Sequence, residues 1–92
     1  MQENDYRQLA AKKVVADFFN VRNPQGPHIS VDDVLIVQFT KNLENWKAFL
    51  IVHGIQGHLY EASYSGAKNE VYLDAYKKYH NGVIPGDKLR ID

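Results

Sequence analysis

Apolar residues recur along the chain at two periods, and the change of period divides it. From Asn4 to Asn20, Tyr6, Ala10, Val14 and Phe18 return every fourth position, widened by Leu9, Ala11 and Val15. Arg7, Gln8, Lys12 and Lys13 stay off that stripe. Such a return keeps side chains on one side of a helical turn, so an amphipathic helix is predicted. Asn4 is placed to cap its first amides, and Asn20 with the Asn23-Pro24 pair marks its end. Val21 to Pro27 has prolines and a glycine without periodicity and reads as a loop. In Ser30-Val31-Asp32-Asp33, a hydroxyl and a carboxylate three residues on can satisfy free amides of a short capped turn.

Beyond it the period falls to two. Val34 to Thr40 puts Leu35, Val37 and Phe39 on one side and Val34, Ile36 and Gln38 on the other. Trp46 to His53 sets Trp46, Ala48, Leu50 and Val52 against Lys47, Phe49, Ile51 and His53, and apolar residues on both sides predict a central strand. Gly54 and Gly57 supply the positive φ of a hairpin into a third strand, His58 to Tyr64. After a turn over Ser65 to Asn69, Val71, Leu73 and Ala75 alternate with Tyr72, Asp74 and Tyr76, predicting a fourth strand from Glu70 to Lys78. The fold expected is α+β, an N-terminal helix packed on an antiparallel sheet of about four strands in meander order. Tyr72, Ala75, Tyr76 and Tyr79 also fit helical spacing. The competing order is therefore α-β-β-β-α, as in double-stranded RNA binding domains, with Lys77 and Lys78 on the last helix. Asp87 to Asp92 is expected to fray.

A chain of 92 residues with 45% hydrophobic residues makes one domain, residues 1–92, with a core that needs no disulfide or metal staple. Eleven basic against eleven acidic residues leave no whole-molecule field to draw it to nucleic acid or an anionic membrane. No apolar run, Val34 to Val37 included, approaches the roughly 20 residues that span a bilayer. With no cysteine there is no thiolate chemistry, and the expected location is cytoplasmic.

The run Tyr60-Glu61-Ala62-Ser63-Tyr64, a glycine-containing turn and Tyr72-Leu73-Asp74-Ala75-Tyr76-Lys77-Lys78 resembles a family of small proteins of unknown function encoded by phages and prophages of Gram-positive bacteria. The opening helix and Trp46-Lys47-Ala48 are similar too. The resemblance implies a phage-derived accessory protein in the cytoplasm of a bacterial host and assigns no functional residue.

Candidate chemistry is sparse. His53 and His58 flank a hairpin loop while His28 and His80 stand apart, so neither a metal site nor a cofactor is expected. Glu61 and Asp74 are placed to face one another across the last two strands, but no nucleophile, oxyanion hole or phosphate loop adjoins them, and no catalytic residue is assigned. Lys77 and Lys78 beside Tyr72, Tyr76 and Tyr79 combine charge with stacking surface, which keeps a small nucleic-acid-binding module as the alternative function. The stronger expectation follows from counting faces. One helix covers one side of a sheet whose strands are apolar on both. The other side, with Ile36, Phe49, Ile51, Tyr72 and Tyr76, is therefore expected to bind a second copy of the chain or a host or phage protein. The competing account folds Val83, Ile84 and Leu89 over it. A non-catalytic protein acting by protein-protein interaction is thus expected ahead of nucleic-acid binding, with an enzyme last.

Overall fold

Short connections make each alternating segment fold back on the one before it. In the computed structural model, which describes residues 3–78, 82, 83 and 85–89, the strands are β1 (Val34–Asn42), β2 (Asn45–Val52), β3 (His58–Ser65) and β4 (Glu70–Lys77). They pair antiparallel in the order β1-β2-β3-β4, so the strand reading of Glu70–Lys77 holds over the helical one. The helix α1 (Glu3–Arg22) precedes them, followed by a 3-10 turn (Val31–Asp33), and a second 3-10 turn (Gly86–Leu89) lies in the tail expected to fray.

α1 is longer at both ends than its polar punctuation suggests. Glu3, a good helix former, already lies in it, so Asn4 falls within the helix, not ahead of it. Asn20 is also inside and acts as a clamp: its Nδ2 donates to the Ile29 carbonyl and its Oδ1 accepts from the Ile29 amide, both at 2.8 Å. That pair fixes the loop leading to β1. The next residues carry the capped turn as expected. Asp33 Oδ2 accepts from the Ser30 amide at 2.9 Å, and Ser30 Oγ accepts from the Asp32 amide at 3.3 Å.

The core lies between α1 and one face of the sheet. Ala11, Val15 and Ala16 press on Val34, Trp46, Ala48, Leu50, Val52, Tyr60 and Ala62, all buried. Alanines on both surfaces let the helix axis approach the sheet closely. Full burial of a side chain such as Leu50 contributes about 1.5–3 kcal/mol. The buried stripe is rotated from the expected one. Ala11, Val15 and Phe18 carry it, while Tyr6 is 68% exposed. Phe18 meets Tyr60 edge-on at 6.1 Å, and Trp46 stacks between Phe39 at 5.9 Å and Tyr64 at 5.7 Å.

β1 departs from simple alternation. Ile36 is opposite Leu50 and Gln38 is opposite Phe49, so Val37 is an extra residue, a β-bulge. The bulge resets the phase of the strand: Val34, Ile36 and Phe39 all face the helix, and Leu35 faces away. The expected division of β1, with Ile36 opposite the helix side, is corrected on this ground.

Candidate functional site

The sheet face away from α1 is the candidate site, and the pairing register sets its rows. One row crosses the sheet as Thr40, Lys47, Ser63 and Tyr72, and the next as Gln38, Phe49, Glu61 and Asp74. Leu35 is opposite Ile51 and Leu59 is opposite Tyr76, and these four residues continue the face toward the Gly54–Gly57 turn as an apolar strip. Of the residues expected there, Phe49, Ile51, Tyr72 and Tyr76 share this face and Ile36 does not. Leu35, at 44% exposure, takes its place. Val83 is 93% exposed, so it does not cover the strip. Ile84 and the side chain of Leu89 lie outside the described residues.

Beside the strip, polar groups are tied to one another. Lys47 Nζ is 3.1 Å from Glu61 Oε2, and the Tyr76 hydroxyl donates to Glu61 Oε1 at 3.1 Å. Donation from Lys47 and then from Tyr76 holds the Glu61 carboxyl below its ordinary range. The Tyr72 hydroxyl donates to Glu70 Oε2 at 2.6 Å, which raises the pKa of that phenol, and the bond to Glu61 raises that of Tyr76. Next to this network, Gln38, Thr40, Lys47, Phe49, Ser63 and Tyr72 line an open groove of about 550 Å³.

Glu61 and Asp74 are directly opposite in the β3–β4 pair, as the alternation implies. By strand alternation Lys77 follows Ala75 toward the helix side, and Lys78, just beyond β4, follows Tyr76 toward the open side, while both line a recess at the end of the sheet with Gly57, His58 and Leu59. Among the described residues no three histidine, aspartate or glutamate side chains gather as metal ligands, and no helix is long and apolar enough to cross a membrane.

Two features of the face were not legible beforehand. The tyrosine-carboxylate pairs depend on the β3–β4 register and on rotamers, and the entry of Leu35 depends on the bulge. Compared with known proteins, residues 8–86 match a family described only as of unknown function, DUF6275, a span that takes in all four strands. No curated protein and no solved structure matches the chain.

Proposed function

The chain belongs to the family of unknown function DUF6275, and from the make-up of its open sheet face we propose that it is a non-catalytic interaction module that docks this face on a partner protein. The observation that carries the reading is the apolar strip of Leu35, Ile51, Leu59 and Tyr76 beside Phe49, at the end of the open face nearest the Gly54–Gly57 turn, with Leu35, Leu59 and Tyr76 exposed and hydrogen-bonded polar groups along one side. Apolar and aromatic residues next to polar groups are the composition of a protein interface. Glu61 serves the border of the strip structurally, its two carboxylate oxygens tied to Lys47 and to the Tyr76 hydroxyl. Nucleic acid is the weaker reading, because Tyr72 and Tyr76, the rings that would stack bases, each bind a carboxylate that repels phosphate. The likeness of residues 60–64 and 72–78 to phage and prophage proteins supports the narrower view of an accessory factor working in the cytoplasm of a bacterial host.

The test is comparative capture from host lysate by the wild type and by Phe49→Asp, with circular dichroism to establish that the variant is folded. The expected result is a protein retained by the wild type and lost from folded Phe49→Asp, since an aromatic anchor at such a site contributes about 1.5–3 kcal/mol. Salt-dependent retention on nucleic acid that survives Phe49→Asp and is lost in Lys77→Glu/Lys78→Glu would overturn the proposal.

A further inference from the structure

The edge of the sheet carries a second surface, independent of what the open face binds. In the β3–β4 pair the Lys78 amide donates to the Gly57 carbonyl, so Lys78 belongs to the set of residues whose main-chain groups point at β3. Antiparallel strands alternate in this respect. Tyr72, Asp74 and Tyr76 therefore bond to β3, and Val71, Leu73, Ala75 and Lys77 turn their N–H and C=O groups to the free edge. The same alternation puts Val71, Leu73 and Ala75 on the helix side. α1 packs on β1, β2 and β3, and of those three only Leu73 packs against the core, while Val71 is 36% exposed and Ala75 is exposed. Among the described residues, a regular strand thus presents main-chain groups without a partner and a largely uncovered apolar row along one margin.

We propose that this margin pairs with β4 of a second copy, antiparallel about a two-fold axis through Leu73, joining two sheets into one of eight strands. The occupant follows from self-complementarity. A two-fold axis normal to the sheet keeps both helices on one side and opposes residues of like face, so Leu73 meets Leu73 of the second copy and Val71 meets Ala75 of the second copy. All six residues have edge-directed N–H and C=O groups, as ladder bonds require. The row that α1 leaves uncovered is then continued by its own copy. The apolar row sets the register. Centring on Asp74 would set Glu70 against Lys78 but would also place Lys77 against Val71 and oppose two carboxylates in a close, non-bonded pair, whereas centring on Leu73 keeps Val71, Leu73 and Ala75 against one another, opposes Asp74 to Tyr72 and leaves Lys77 beyond the paired stretch. The two open faces become coplanar and continuous.

Sedimentation of the full chain over a wide concentration range, with two kinds of variant, tests this. Ala75→Pro removes an amide that β3 does not use, so a proline is tolerated there in the monomer, but it blocks the second strand. The chain has no cysteine of its own, and Leu73→Cys sets two thiols opposite each other at about 5.5 Å between Cα atoms, within disulfide reach. The expected results are a wild type that passes from monomer to dimer, an Ala75→Pro variant that stays monomeric with wild-type circular dichroism, and a Leu73→Cys chain that cross-links under mild oxidation well ahead of Asp74→Cys. Should Ala75→Pro fail to fold, the cysteine pair decides. A wild type monomeric throughout, a folded Ala75→Pro that still dimerises, or cross-linking at position 74 in preference to 73 would each overturn the proposal.

Discussion

β1 and β4 are both edge strands with one hydrogen-bonded neighbour, yet the rest of the chain treats them differently. β1 follows a loop clamped by Asn20, starts from a capped turn, lies under α1 with Val34 wholly buried, and is interrupted by the bulge at Val37. A bulge breaks the flat row of main-chain groups that another strand could join, so this edge is closed to addition. β4 has the β3 ladder and two tyrosine-carboxylate bonds, no bulge, and a mostly exposed sequence of side chains. In a sheet of one composition, the edge that is finished internally marks the side that holds the fold together, and the unfinished edge marks the side available to another chain.

The largest effect that would break this contrast is a charge placed at equivalent sites on the two edges. Val34→Asp buries a carboxylate with no partner and should cost more than about 4 kcal/mol, leaving the chain unfolded by circular dichroism. Val71→Asp on β4 should cost less than about 1 kcal/mol in dilute solution. Comparable losses at the two positions would mean that β4 is as deeply integrated as β1.

A smaller effect sharpens the account of the β1 side. Asn20→Ala removes both bonds to Ile29 and should lower stability by about 1–3 kcal/mol in chemical denaturation, because a part-buried amide and carbonyl lose their partner. Asn20→Asp should recover only the bond from the Ile29 amide.

How much of this was legible in the sequence differs between the same two edges. The four strands, the Ser30–Asp33 cap and the opposition of Glu61 and Asp74 follow from alternation and turn chemistry, which are local. The bulge was not legible, since residues 34–37 are all apolar and such a run carries no phase; the shift of Ile36 to the helix side followed from that. The rotation of the helix stripe was hidden because its centre is alanine, whose small side chain weighs little against Tyr6 and Leu9 in a hydrophobic pattern. Asn20 reads as a stop signal, and its partner nine residues on is fixed only by tertiary structure. On β4 the alternation was readable beside a competing helical spacing of Tyr72, Ala75, Tyr76 and Tyr79, and which main-chain groups face outward depends on the pairing with β3.

The smallest effect concerns pH on the β4 side. The folded-state pKa values of Tyr72 and Tyr76 are raised by their carboxylate partners, so the stability from these bonds is present below the ordinary tyrosine range and is lost as pH rises through the folded values. The Glu61 carboxyl is lowered, so its contribution is present above the ordinary glutamate range and is lost as pH falls through the folded value. Ultraviolet titration of the phenols should show late-titrating groups that disappear in Tyr72→Phe/Tyr76→Phe, with Tyr60, whose pKa burial raises, remaining.

Amide hydrogen exchange along β4, read residue by residue at low and high protein concentration, tests the unfinished edge most directly. The amides of Tyr72, Asp74 and Tyr76, bonded to β3, should be protected at both concentrations. Those of Val71, Leu73 and Ala75 should exchange freely when dilute and gain protection when concentrated, while Lys77, beyond the paired stretch, stays unprotected. Protection of Val71, Leu73 and Ala75 that does not change with concentration, whether absent or present throughout, would contradict the account.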